Sequence, residues 1–267
     1  MGRNWTYNEL LLAFNLYCKL SFGRYDRRTP EVIDLAKLID RTPSAVAMKL
    51  SNFASLDPRH ISRGIKGLSN TSKADKDAWQ EFTGNWDKTV WESELLLAQL
   101  RKQDIKVDVE AEVFGDQAEE FMKWDNSNTR ETQIERLTKV RLGQQFFRKT
   151  ILANYRSRCC VCNMPIPTLL IASHIIPWKD REDLRLNPHN GLCLCALHDK
   201  AFDAGFLGID EQYRVVISDQ VHDYLPNQSL ETNIARYGGR EISLPDKFVP
   251  NQAYLKHHLV THFLLVE

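Results

Sequence analysis

The sequence lacks an excess of charge of either sign, because its 35 Lys and Arg residues balance its 35 Asp and Glu residues over 267 positions. A uniformly basic or acidic protein is therefore excluded, and any attraction to nucleic acid must come from local clusters of charge. The sequence also has no apolar run near the ~18 residues that a membrane span requires. We therefore expect no contact with a membrane.

A secretory signal is also missing, because the first ten residues, MGRNWTYNEL, have neither a basic end nor an apolar centre. We expect a cytoplasmic protein whose thiols stay reduced. Five of the six cysteines lie between Cys159 and Cys195, with histidines nearby. In a reducing compartment this cluster indicates metal binding rather than disulfide bonds.

Three short helices are predicted near the N-terminus. Apolar residues recur at the helical period over residues 10–18. Two further helices are predicted to begin at Pro30 and Pro43, because each proline follows a threonine that can cap a helix. Only three residues, 40–42, separate these two helices, which is the arrangement of a helix-turn-helix motif.

In a DNA-binding motif of this kind, the helix from Pro43 to Phe53 enters the major groove and its outer face contacts the DNA. That face carries Ser44, Lys49, Ser51 and Asn52, of which we assign Lys49 and Asn52 to DNA binding. Through Asp75 the sequence has twelve basic and seven acidic residues, a surplus of five that favours phosphate contact. The alternative is a plain three-helix bundle that binds a protein or nothing.

The middle of the chain alternates in charge. Residues 55–86 predict a loop with a short helix, and residues 90–103 predict a second helix. Residues 104–125, with eight acidic and two basic side chains, are expected to form a solvated connector. Residues 130–158 have eight basic and two acidic side chains on an amphipathic pattern, which predicts a basic helix. We assign cations of this helix and of a later loop to the DNA backbone: Arg148, Lys149, Arg156, Lys179 and Arg181.

Residues 158–208 predict the order strand, loop, strand, helix. Residues 169–176 are apolar and β-branched, as in a buried strand. Residues 191–195 predict a second short strand. Residues 196–204 have a helix-forming composition, and Gly205 stands where a helix stops.

Three motifs lie on these elements: SHIIPW on the first strand, NPHNGL before the second, and LHDKAFDAG on the helix. In this order and spacing they resemble the HNH nuclease family, whose core is the ββα-metal finger, and in particular bacterial nucleases of the restriction type. The resemblance covers about residues 141–260. Together with the patterns above, it leads us to predict an α+β protein with a helical DNA-recognition domain over residues 1–80, a helical and acidic connector over residues 81–129, and a nuclease domain over residues 130–267.

The resemblance also implies a metal-dependent DNA endonuclease, a restriction or DNA-defence enzyme that hydrolyses phosphodiester bonds. It makes His174 the general base, and a neutral imidazole can take a proton at cellular pH. Asn190 would orient the loop and the base, although a tight turn before Gly191 would also explain an asparagine there. His198, the third residue of the motif, is counted with the catalytic residues.

The resemblance assigns two metal sites. The positions that bind structural zinc in some members are occupied here by Cys159, Cys162, Cys195 and His198. The positions that hold the hydrolytic ion are occupied by Asp199 and Asp203, which share a helix face and suit Mg or Mn, with Zn or Ni as further candidates. His198 points about 100° away around the helix, which favours two separate sites.

Two departures from the family pattern leave alternatives open. Cys193 shares a strand face with Cys195, so it could replace His198 as the fourth zinc ligand and free the imidazole for the catalytic ion. Ser173 stands where many members have an acidic or histidine ligand to the metal, and a neutral hydroxyl holds a divalent ion weakly. The thiols could also pack simply as small apolar side chains.

Double-stranded DNA is the expected partner. Cutting both strands with one site per chain requires two chains or two encounters, so a homodimer is one solution. The weak ligand at Ser173 keeps a second class of function open, a zinc-stabilised DNA-binding regulator without hydrolysis. An RNA-cleaving nuclease is the third possibility.

Overall fold

The computed structural model describes residues 3–65, 71–101 and 133–263, with the backbone alone for residues 133–138. Its helices are α1 Tyr7–Lys19, α2 Pro30–Leu38, α3 Pro43–Leu56, α4 Pro58–Ser62, α5 Lys73–Gly84, α6 Trp86–Leu100, α7 Gln133–Asn154, α8 Ala196–Asp203, α9 Gln228–Asn233 and α10 Gln252–Thr261. Its strands are β1 Leu170–His174, β2 Gly191–Cys195, β3 Leu207–Ile209 and β4 Val215–Ile217. Within these ranges, no helix combines the length and the hydrophobicity needed to cross a bilayer. The acidic segment predicted at residues 104–125 lies outside the described residues.

Helix α1 lies at the centre of the N-terminal helices and carries their core. Phe14 and Tyr17 are fully buried and contact Phe53, with ring centres 5.4 and 6.2 Å away. Burial of one such side chain contributes about 1.5–3 kcal/mol to the free energy of folding. The start of α1 is held by a capping box, in which the hydroxyl of Thr6 and the carboxylate of Glu9 accept from each other's backbone amides.

The helices predicted to begin at prolines are confirmed, but only one of them has the expected cap. The Thr42 hydroxyl accepts from the Ala45 amide at 3.2 Å, as a cap does. The Thr29 hydroxyl instead donates to the Arg24 carbonyl at 2.9 Å. Pro30 still begins α2, because its fixed φ suits the first helical position.

The first core extends past the domain boundary predicted near residue 80. Phe82 of α5 and Trp86 of α6 contact Phe14, with ring centres 5.4 and 5.8 Å away. Ser72 begins α5 with a second capping box, a signal that the prediction of a loop with a short helix missed. Helices α1, α2, α3, α5 and α6 therefore share one core, and we call the helices α1 to α6 the N-terminal helical unit.

The face of α3 predicted to contact DNA is covered by α5. The Lys49 ammonium and the Asn52 amide both donate to the Asp75 carboxylate. Lys49 is 7% exposed and Asn52 is 9% exposed, so the prediction that they face outward is wrong. The apolar period of α3 could not reveal a helix packed on its polar side. The residues that α3 does expose include Ser44 and Met48, neither of which is a cation.

Asp75→Ala is expected to lower the free energy of unfolding by about 3–5 kcal/mol, because it leaves a buried Lys49 ammonium without its partner. The matched control is Asp77→Ala on the exposed side of α5, where we expect a change within about 0.5 kcal/mol. Urea unfolding followed by circular dichroism measures both values. Equally small effects would show that this ion pair does not hold α3 against α5.

The C-terminal half is built on a hairpin followed directly by a helix. Strands β1 and β2 pair antiparallel, with His174 opposite Gly191, and α8 begins where β2 ends. The predicted order of strand, loop, strand and helix is confirmed. A Cβ atom at Gly191 would lie 2.3 Å from the Ile151 side chain, so glycine is needed for α7 to approach the hairpin. Helix α8 ends at Asp203, and Gly205 follows two residues later with a φ of +77° that suits a helix stop.

A second core lies between this hairpin and the elements around it. It includes Ile151 of α7, Leu192 and Leu194 of β2, Phe202 of α8 and Leu255 of α10. Beside it, strand β4 pairs antiparallel with β3. The architecture is thus mixed, with helices and two small sheets arranged around two cores.

Candidate active site and metal centre

Four metal-binding side chains meet where β2 passes into α8. They come from the turn after α7, the end of β2 and the first turn of α8: Cys159, Cys162, Cys195 and His198. One donor atom of each lies within 4.8 Å of the others. The turn is closed by the Asn163 amide, which donates to the Cys159 carbonyl at 2.9 Å. Asn163 has a φ of +63°, a conformation that asparagine tolerates.

The imidazole of His198 is oriented for a metal. Its Nε2 lies 2.9 Å from the Asn233 carbonyl, which can only accept, so Nε2 carries the proton. The lone pair is therefore on Nδ1, which lies 3.2 Å from Sγ of Cys195 and 3.6 Å from Sγ of Cys159. A carbonyl behind the ring is the usual partner of a metal-binding histidine.

The donor set fits zinc. Three sulfurs and one imidazole nitrogen are typical ligands of a tetrahedral structural zinc ion. A hydrogen bond from Cys159 lowers the pKa of Cys195 to about 3, so the cluster already favours a thiolate at this position. This group of residues could therefore hold zinc.

His198 belongs to this cluster and is not free for catalysis. Both of its ring nitrogens are engaged, and the residue is 2% exposed. The structure does not support the prediction of His198 as a catalytic residue and as a ligand of the hydrolytic ion, because the thiols and the Asn233 carbonyl hold its ring. It also argues against the alternative with Cys193 as the fourth zinc ligand. Among the described residues Cys193 lies outside the group of ligands, buried in β2 opposite Ala172.

His174 ends β1 and is held on three sides. Its ring stacks on Phe147 with centres 4.1 Å apart, and Trp178 stands edge-on at 5.4 Å. Its Nε2 donates to the Arg185 carbonyl at 2.9 Å, which leaves the lone pair on Nδ1. Nδ1 is buried and has no hydrogen-bond partner in the described part of the chain. Burial lowers the pKa of His174 to about 4, so the ring is neutral at pH 7.

Asn190 closes the loop between β1 and β2, residues 175–190, which we call the active-site loop. Its Oδ1 accepts from the Ile176 amide at 2.8 Å. Its Nδ2 donates to the carbonyls of Ile176 and Leu184 at 3.0 and 3.3 Å. These contacts join the two ends of the loop to its middle, where Arg185 holds His174. Asn190 therefore acts on His174 through the loop backbone.

Two carboxylates and a hydroxyl meet on the other side of the hairpin. Burial and the charge of Asp203 raise the pKa of Asp199 to about 6, and the nearby Ser173 hydroxyl opposes this rise. Ser173 is 4% exposed, and its Oγ has no partner at hydrogen-bond geometry among the described residues. These hard oxygen donors fit a divalent cation such as Mg²⁺ or Mn²⁺. Asp203 is exposed at the end of α8, so the group is open to solvent.

Successive side chains of a strand point to opposite faces, so Ser173 and His174 face apart. The carboxylates and the imidazole thus lie on the two sides of β1. A phosphate that reaches both must therefore lie across the end of the hairpin, where β1 stops at His174.

The segment with this geometry matches a protein-family model. The family described as HNH endonuclease matches residues 159–210, which include the cysteine cluster, His174, Asn190 and both carboxylates. Residues 159–210 form an HNH domain. A comparison with curated proteins gives no match to the chain. The HNH family implies a nucleic-acid substrate and the use of a divalent metal.

The cations predicted to contact DNA from α7 and the active-site loop differ in their hydrogen bonds, ion pairs and exposure. Arg148 donates to two carbonyls before and at the start of β1, at 3.2 and 2.7 Å respectively, and so fastens α7 to the hairpin. Arg156 and Arg181 each pair with an aspartate at 2.6 Å. Lys149 and Lys179 are exposed.

The sequence did not reveal the residues that orient the two histidines of the HNH domain. Phe147 and Trp178 are apolar side chains that a pattern assigns to the core. Arg185 looks like a phosphate-binding cation, but its carbonyl is what holds His174. Asn233, 35 residues after His198, also acts through its carbonyl. Every residue has a carbonyl, so no sequence signal could have identified these two contacts.

Proposed function

We propose that this protein is a metal-dependent endonuclease that hydrolyses phosphodiester bonds of double-stranded DNA, with His174 as the general base. The observation that carries the proposal is the state of the His174 ring. It is neutral, its Nε2 is held by a carbonyl, and its Nδ1 is an acceptor without a partner among the described residues. A base of this kind can take a proton from water.

The chain's own residues supply the base and hold it in position. The Arg185 carbonyl keeps the proton of the ring on Nε2, and the stacked Phe147 ring fixes its plane. Asn190 holds the active-site loop that provides this carbonyl. Because Nδ1 is buried, water reaches it only when the active-site loop shifts. The position of this loop therefore governs the rate of cleavage.

We assign the catalytic cation to Asp199 and Asp203, with Ser173 as a weak third donor. A divalent cation bound there would neutralise the negative charge that develops on the phosphate and on the leaving oxygen. Its binding would also offset the burial and the charge of Asp203, which together raise the pKa of Asp199. Because a hydroxyl is a poor ligand, we expect the cation to be held loosely.

The wider role follows from the same proposal. A DNA endonuclease of this size with a separate helical unit suits restriction or DNA defence in the cytoplasm. A single site per chain suits a homodimer when both strands are cut. Of the residues assigned to DNA binding, we retain Lys149 and Lys179 as contacts to the DNA backbone and no longer propose Lys49 and Asn52.

Asp199→Asn and Asp203→Asn are each expected to lower the rate of plasmid nicking at least tenfold at low Mn²⁺, with partial recovery at high Mn²⁺. Loss of a charged ligand weakens the binding of a hard cation more than it changes the fold. The control is Asp223→Asn, an exposed carboxylate outside the site, for which we expect an unchanged rate. Initial rates on supercoiled plasmid over a Mn²⁺ titration provide the measurement.

The same assay separates the rival functions. DNA binding without nicking by the wild type at any Mn²⁺ concentration would favour a zinc-stabilised DNA-binding regulator. The weak Ser173 donor is the observation that favours this alternative. Faster cleavage of single-stranded RNA than of duplex DNA would overturn the choice of substrate. Nicking that does not depend on either carboxylate would overturn the assigned cation site.

A further inference from the structure

A short segment, residues 246–251, lies between the N-terminal helical unit and the HNH domain, and we call it the strap. Lys247 of the strap is fully buried. Its ammonium donates to the carbonyls of Cys18 and Leu20 at 3.2 and 2.7 Å, and also to that of Tyr17. These carbonyls lie at the C-terminal end of α1, where the helix dipole favours a cation. The strap is therefore anchored to the N-terminal helical unit by a buried charge.

The next residue of the strap inserts into the first core. Phe248 is 3% exposed and stands edge-on to Trp86 and Tyr17, with ring centres 5.2 and 6.1 Å away. It belongs to the same core as Phe14 of α1. Although the strap follows the HNH domain in the chain, it thus packs as part of the N-terminal helical unit.

On its other side the strap binds the residue before Asn190. Nδ1 of His189 donates to the Val249 carbonyl at 2.7 Å, and the His189 carbonyl accepts from the Asn251 amide at 2.9 Å. The His189 ring stands edge-on to Phe248 at 5.7 Å. A cavity of about 190 Å³ borders His189, Phe248 and Val249. Two hydrogen bonds and one ring contact therefore hold His189 against the strap.

Helix α6 reaches the active-site loop from a second direction. It contacts residues 182–184, directly before the carbonyl that holds His174. Burial raises the pKa of Asp87 of α6 to about 6, and the charge of Arg185 opposes this rise. The loop is thus contacted by the N-terminal helical unit near Arg185 and, through the strap, beside Asn190.

We propose that the N-terminal helical unit sets the position of the active-site loop, and that His189 is the positioning residue through which the strap does so. The inference rests on the proposed function, because it assigns the loop position a role in catalysis. On this view the N-terminal helical unit is a structural part of the active site, in addition to any contact that it makes with DNA.

The first test compares His189→Phe with His189→Asn. Phenylalanine removes the donor to Val249, whereas the amide of asparagine can replace Nδ1. We expect His189→Phe to lower kcat for DNA cleavage about 10- to 100-fold with an unchanged KM, since a small misplacement of a catalytic group has an effect of this size. His189→Asn should recover most of the rate. Equal zinc content and an equal melting temperature for both variants exclude a general loss of fold.

The second test does not require cleavage. Lys247→Met keeps the length of the side chain but removes the bonds to α1, and the control is Lys256→Met on the exposed side of α10. Hydrogen exchange followed by mass spectrometry should show faster exchange over residues 175–190 in Lys247→Met alone. This stretch includes the Ile176 amide that Asn190 binds.

The outcomes are distinguishable. Unchanged kcat in His189→Phe, or a loss that asparagine does not restore, overturns the role of His189. Unchanged exchange in Lys247→Met overturns the coupling through the strap. If the wild type cleaves no nucleic acid, the proposed function fails, and the exchange experiment still decides whether the N-terminal helical unit positions the loop.

Discussion

His174→Ala is expected to lower the rate of DNA cleavage by about 10²–10⁴-fold, the usual contribution of a positioned general base. The imidazole is neutral at pH 7 because burial lowers its pKa to about 4. Its Nδ1 offers an acceptor that alanine cannot replace. Initial rates of plasmid nicking at saturating Mn²⁺ provide the measurement, so that cation binding does not limit either protein.

A second variant separates the loss of the base from the loss of packing. His174→Gln keeps an amide that can donate to the Arg185 carbonyl but removes the basic nitrogen, and we expect it to be as inactive as His174→Ala. His257→Ala, at an exposed position of α10, should cleave like the wild type. A folded His174→Ala protein that cuts at the wild-type rate would end the assignment of the base and with it the proposed mechanism.

Cys195→Ser is expected to abolish zinc binding and to unfold the HNH domain. Structural zinc contributes about 10–16 kcal/mol in small zinc domains, which is comparable to the entire stability of a typical domain. Cys195 is the last residue of β2 and directly precedes α8, so its replacement removes one of the four candidate ligands of the cluster. Metal analysis should find one zinc per wild-type chain and none in the variant.

Cys193→Ser is the matched control, since it changes a buried thiol of the same strand two residues away. We expect this variant to retain its zinc, because Cys193 is not among the ligands that the structure brings together. Thermal unfolding of both variants, with and without a chelator, measures the loss. Zinc lost from Cys193→Ser but kept by a His198 variant would favour the four-thiolate site.

Local patterns were sufficient to predict the main features of the HNH domain because its candidate zinc ligands come in two pairs, and the members of each pair lie close together in the chain. Cys195 and His198 are three residues apart, at a strand end and in the next helical turn, so the backbone alone brings their side chains together. Cys159 and Cys162 share a tight turn in the same way. The group of residues that could hold zinc, the ββα order and the position of His174 could therefore be predicted from residues 159–210.

The N-terminal helical unit shows where such reasoning fails. Lys49 and Asn52 have the types and the spacing of DNA-contacting residues on an outer helix face. Asp75, on a helix whose packing no local pattern indicates, turns that face into an interior. The predicted boundary near residue 80 missed the contacts of Phe82 and Trp86 with α1 for the same reason.

The sequence by itself determined the helices with their caps, the hairpin and helix of the HNH domain, and the four residues that could hold zinc. The helices and each ligand pair, Cys159 with Cys162 and Cys195 with His198, depend on neighbours a few residues away in the chain. Only the tertiary structure decided that His198 lies in the thiol cluster, that α3 is covered, and that Lys247 and His189 connect the first core to the active-site loop. Those contacts join residues up to 230 positions apart, and they follow from which surfaces bury each other rather than from any local pattern.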